Sequence, residues 1–128
     1  MTNPSKNSLF FYRAELASPS DVYDGDTIKL SIDLGFNSWL KQVKFRLYGI
    51  NTPEVRGEEK EEGYKSRDFL RSYLVGEHLE LYVETYRDKT GKYGRWLATL
   101  WAYYSESNNW VNVNKLLVDM GLAEEREY

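Results

Sequence analysis

The sequence predicts an α+β fold: a five-stranded Greek-key β-barrel with two to three helices. Three observations carry this. Five short segments read as strands. Two stretches switch to a helical period, one between the third and fourth strands and one after the fifth. Finally, 128 residues with 41% hydrophobic and 16% aromatic content supply one packed core.

The elements follow in order. Residues 9–16 form the first strand, ending near Pro19. Ile28, Leu30 and Ile32 alternate with Lys29, Ser31 and Asp33, giving a half-buried second strand. Val43, Phe45 and Leu47 alternate with Lys44, Arg46 and Tyr48 to give a third, after a long loop over residues 34–41. Residues 56–62 are a charged, solvated loop. The first helix covers residues 63–74, with Phe69, Leu70, Tyr73 and Leu74 on one face. Leu79, Leu81 and Val83 alternate with polar neighbours in the fourth strand. Residues 96–104 are apolar on both faces, as a buried fifth strand requires, and residues 104–109 make a polar turn. Val113, Leu116, Leu117 and Met120 share a helix face, with Asn112 as its cap and Gly121 as its end. The order β-β-β-α-β-β-α is the OB-fold arrangement. Residues 1–8 are read as a disordered tail before a single domain at 9–128.

Composition narrows the function. With no cysteine, disulfides, thiolate zinc sites and cysteine nucleophiles are excluded. The polar start has no apolar signal region, so the expected location is the cytoplasm. A net charge of −3 argues against a broad basic surface for nucleic acid. It leaves room for a local positive site.

Three motifs carry the chemistry, each between a strand and a loop. The first is Asp24-Gly25-Asp26-Thr27, where a turn is the plain reading and a cation-facing Asp26 the functional one. The second runs Arg46-Leu47-Tyr48-Gly49-Ile50-Asn51-Thr52-Pro53-Glu54. Arg46 alternates with the core positions, so it reads either as a solvated arginine or as a ligand. Pro53 fixes a turn and holds Thr52 extended, a stiff corner that presents Asn51, the Thr52 carbonyl and Glu54. The third is Lys92-Tyr93-Gly94-Arg95. Together they offer oxygen ligands for a hard cation, a carboxylate base and two arginines, a set suited to phosphodiester cleavage. His78 has no role, and the four tryptophans are read as packing, with Trp39 the best candidate for an exposed aromatic.

From residue 9 to 123 these motifs, with the helix end Met120-Gly121-Leu122-Ala123, resemble the staphylococcal nuclease (thermonuclease) family. The resemblance implies an OB-fold, calcium-dependent nuclease that cuts DNA or RNA, single strands favoured, and leaves a 3′-phosphate. By resemblance Asp26, Asn51 and the Thr52 carbonyl bind Ca2+, and Asp24 is an acid beside the metal. Glu54 matches the general base, Arg46 and Arg95 the pair that holds phosphate, and Lys92 and Tyr93 the contacts to a terminal phosphate. Two departures stand out. Asn51 replaces an aspartate of the family, which predicts weaker calcium binding. The family's further C-terminal helix has no counterpart, and Tyr128 is the candidate for its stacking tyrosines. The alternative function is an OB-fold nucleic-acid-binding module with weakened catalysis.

Overall fold

The computed structural model describes residues 10–76, 79–90 and 95–126. The predicted tail, His78, Lys92, Tyr93 and Tyr128 lie outside these described residues.

Alternating apolar positions wrap a closed barrel. Its strands are β1 (Phe11–Glu15), β3 (Thr27–Gly35), β4 (Ser38–Leu47), β6 (Leu79–Thr90) and β7 (Trp96–Tyr104), with β2 (Val22–Asp24) added beyond β3. The path runs β1-β6-β7-β4-β3, and a direct β1–β3 pairing closes it. All neighbours are antiparallel except β4 and β7, which run parallel. That parallel step requires a crossover, and the chain makes it through α1 (Lys60–Leu74) and then β6. The five predicted strands and two predicted helices are present, as a mixed OB-fold barrel.

Ile28, Leu30, Phe45, Leu47, Val83 and Leu100 fill the interior, all at most 2% exposed. Leu70 and Leu74 of α1 and Val113 and Leu117 of α2 (Val113–Asp119) plug against it. Asn112 caps α2 as expected, accepting the Lys115 N–H at 3.1 Å. No helix among the described residues is long and apolar enough to cross a membrane.

Four readings need correction. Residues 34–41 are no long loop: β3 and β4 continue through them, joined at Phe36-Asn37, both with positive φ. Asp33 pairs with Trp39 there, and Trp39 is half-buried under Lys41, 5.1 Å from its ring. The more exposed aromatics are Phe36 and Tyr23. The charged run is shorter than a loop of 56–62: residues 57–59 form a 3-10 turn and α1 starts at Lys60. Small strands also escaped the sequence reading, namely β2, β5 (Ile50–Asn51), β8 (Asn109–Asn112) and β9 (Glu124–Glu125). Each has four residues or fewer, too short to show a period.

Candidate active site

The first motif joins β2 to β3. Gly25 is required there by packing: a Cβ would lie 2.7 Å from Thr52 Cγ2 and 2.8 Å from Ser66 Cβ. The chain therefore brings Asp26 hard against the second motif. Asp26 is buried, and its Oδ2 accepts the Thr52 N–H at 2.9 Å and meets Arg46 Nη1 at 3.1 Å. Its Oδ1 accepts the Thr27 hydroxyl at 3.3 Å. Asp24 Oδ1 accepts the Asp26 N–H at 3.1 Å. Burial first, then the hydrogen bond and charge of Asp26, push the Asp24 carboxyl up to about 7.

The second motif leaves β4 at Arg46. The solvated alternative fails: Arg46 is 8% exposed. Its Nη1 donates to the Leu47 carbonyl at 3.2 Å and its Nη2 to Asn51 Oδ1 at 3.2 Å, beside the Asp26 contact. Alternation correctly turned Arg46 away from the apolar core, but the folded-back corner covers that face too. The corner is pinned from three sides. Asn51 pairs with Glu124 of β9, and the Arg126 N–H donates to the Gly49 carbonyl at 2.8 Å. Asn114 of α2 donates to the Tyr48 carbonyl at 2.9 Å. Gly49 takes a φ of +81°, which glycine adopts without strain.

Glu54 follows the corner and is exposed. Its backbone crosses α1 so closely that a Cβ at Gly63 would collide with the Glu54 carbonyl. Arg95, 68 residues from Thr27, donates Nη1 to the Thr27 hydroxyl at 3.0 Å. A hydrogen-bonded chain thus links Arg95, Thr27, Asp26, Arg46 and Asn51.

These residues line one cleft of about 700 Å³: Asp24, Asp26, Arg46, Asn51, Thr52, Glu54 and Arg95 all border it. Lys29, Lys44, Arg56, Arg126 and Tyr23 also line it and were missed by the sequence reading. Strand alternation alone places Lys44 on the Arg46 face, so that signal was available. The cleft carries six basic side chains (Lys29, Lys44, Arg46, Arg56, Arg95, Arg126) against four acids (Asp21, Asp24, Asp26, Glu54). It is locally positive in a chain of net charge −3.

The donor set fits a hard cation. It consists of carboxylate, amide and carbonyl oxygens. Two carboxyls are crowded together, and the buried Thr52 hydroxyl has no hydrogen-bond partner among the described residues. The set is poor in charge: no group of three or more His, Cys, Asp or Glu converges among the described residues.

An uncharacterized protein of Methanocaldococcus jannaschii is 29% identical over 121 residues, covering 80% of this chain. The chain spans 55% of that relative's length. The family model described as "Staphylococcal nuclease homologue" matches residues 44–128, from β4 through both helices. With two thirds of its length matched by this family model, the chain belongs to the staphylococcal nuclease homologue family.

Proposed function

We propose that this protein is a calcium-dependent nuclease that hydrolyses phosphodiester bonds of DNA or RNA. One observation carries the reading: Asp26, Arg46, Glu54 and Arg95, from three separate segments, line a single positive cleft. Family membership supports a nuclease or nucleic-acid-binding role.

In this mechanism the scissile phosphate lies between Arg46 and Arg95. A guanidinium has five N–H donors, and Arg46 keeps donors beyond its contacts to Leu47, Asn51 and Asp26. Asp26 orients that arginine by ion pairing. Fixed positive charge offsets the charge that builds at phosphorus, worth roughly 10²–10³-fold per group. Glu54 accepts a proton from the attacking water as the water oxygen bonds to phosphorus; the P–O bond to the leaving oxygen breaks, and that oxygen takes a proton from solvent. Asp26, Asn51 and the Thr52 carbonyl would hold Ca2+, with Asp24 beside them. When bound, the ion polarises a phosphoryl oxygen and orients the displacement.

A second reading has a specific observation behind it. Asn51 lacks the charge of an aspartate, and the Arg46 guanidinium rests on both Asp26 and Asn51. A site so balanced suits a nucleic-acid-binding module with weakened catalysis. Degradation of single-stranded DNA in calcium, magnesium and chelator separates the two. Calcium-dependent cleavage that drops roughly 10²–10⁴-fold in Glu54→Gln supports the nuclease. Binding without cleavage in any metal supports the module.

A further inference from the structure

The outer face of β2, β3 and β4 holds side chains that the cleavage chemistry does not use. Thr27 stands opposite Arg46 across β3 and β4, and two residues on, Lys29 stands opposite Lys44. Both lysines are exposed and border the cleft. Like charges directly opposite each other destabilise an antiparallel pair. Neither lysine has an ion pair or side-chain hydrogen bond among the described residues. The nearby acid, Asp21, is approached by Gln42 Nε2 at 3.5 Å.

A second observation lies beside them. The β2–β3 register shifts between Val22 and Asp24, a bulge that re-aims the intervening side chain. Val22 is fully buried, whereas Tyr23 is 66% exposed and borders the same cleft. Arg71 of α1 locks the bulge, donating Nε and Nη2 to the Val22 carbonyl at 3.1 and 3.0 Å. An open aromatic beside a row of cations is how proteins hold single strands.

We propose that Lys29, Lys44 and Tyr23 form a second nucleotide subsite. The lysine pair holds the phosphate next to the one at Arg46, and Tyr23 stacks on the unpaired base between them. Two residues along a strand advance roughly 6.7 Å, comparable to the separation of adjacent phosphates in an extended single strand. The substrate is then a single-stranded polynucleotide running along β3 and β4, its bases turned towards β2. A duplex, whose bases are stacked inside, leaves Tyr23 unused. This rests on the cleft being a nucleic-acid site.

The test is binding of a fluorescent single-stranded oligonucleotide to the Glu54→Gln protein in calcium, over a salt series. Adding Lys29→Ala and Lys44→Ala is expected to weaken binding about tenfold and to flatten the slope of log K against log salt by about 0.7. Adding Tyr23→Ala is expected to weaken binding about tenfold with the slope unchanged. A charge-matched Lys65→Ala/Lys115→Ala protein, altered on the two helices, is expected to bind like its parent. If the parent binds and the lysine and tyrosine variants match it in affinity and slope, the subsite is overturned while the cleft reading stands. If the parent does not bind at all, the cleft reading falls and the subsite with it.

Discussion

Asp24 and Asn51 set the electrostatic balance around Asp26. The folded chain holds the Asp24 proton up to about pH 7, whereas an ordinary aspartate releases it near 3.8. The native state therefore binds more protons than the unfolded one between these values, and stability falls as pH rises through that window. Asp24→Asn keeps the acceptor for the Asp26 N–H and removes the charge. In chelator it is expected to raise the melting temperature at pH 8 by roughly 3 °C or more, with the gain vanishing towards pH 4. Thermal melts across pH check this. Asn51 acts in the opposite sense, since it spares the site a charge that a cation would need. Asn51→Asp is expected to lower the calcium concentration for half-maximal activation about tenfold. A calcium titration of cleavage, repeated as a titration of melting temperature, reads the same shift twice; an unchanged midpoint would sink the argument.

At the scale of elements, α1 works as the bracket of the site. Its Gly63 admits the Glu54 backbone, its Ser66 donates to the Leu122 carbonyl at 2.6 Å, and its Arg71 fixes the β2 bulge. Gly63→Ala would favour helix by propensity. Here the added Cβ must push Glu54 away, because a backbone carbonyl cannot step aside like a flexible side chain. Cleavage is expected to fall at least tenfold, since a misplacement of about 1 Å can cost 10²-fold. Circular dichroism should still report the helix. Retained wild-type activity would mean that the Glu54 segment has room to shift.

Across the whole molecule, the corner at residues 48–54 is a tertiary product. Asn114, buried on α2, accepts the Leu100 N–H at 3.0 Å and donates to the Tyr48 and Ala98 carbonyls at 2.9 and 3.2 Å. One side chain thus ties α2, β7 and the corner together. Asn114→Ala leaves a buried N–H and the Tyr48 carbonyl without this partner, at about 3 kcal/mol. Chemical denaturation should register that loss at unchanged m-value. The barrel also solves a charge problem. With the segments at Arg56 and Arg126 it gathers six basic side chains into one cleft of an acidic chain, a local positive potential on a surface of opposite net charge.

The five barrel strands, both helices and seven residues that line the cleft (Asp24, Asp26, Arg46, Asn51, Thr52, Glu54 and Arg95) were legible in the sequence. Strand alternation and helix period are local, and Asp26, Arg46, Glu54 and Arg95 each sit in a short motif that can be read along the chain. Pro53 and Gly49 likewise announced a shaped corner between β4 and α1. How the corner is held emerges only on folding, because its partners come from β9, α2 and the β2–β3 turn, distant in the chain. It also decided that Gly25 and Gly63 serve close packing, since local sequence does not say which backbone will pass overhead. Arg46 makes the same point at one residue. Its period turned it out of the core, and its burial came from a loop that folds back across it. Two- to four-residue strands such as β2 lack a period to read, so the bulge that exposes Tyr23 exists only once β3 and α1 hold it.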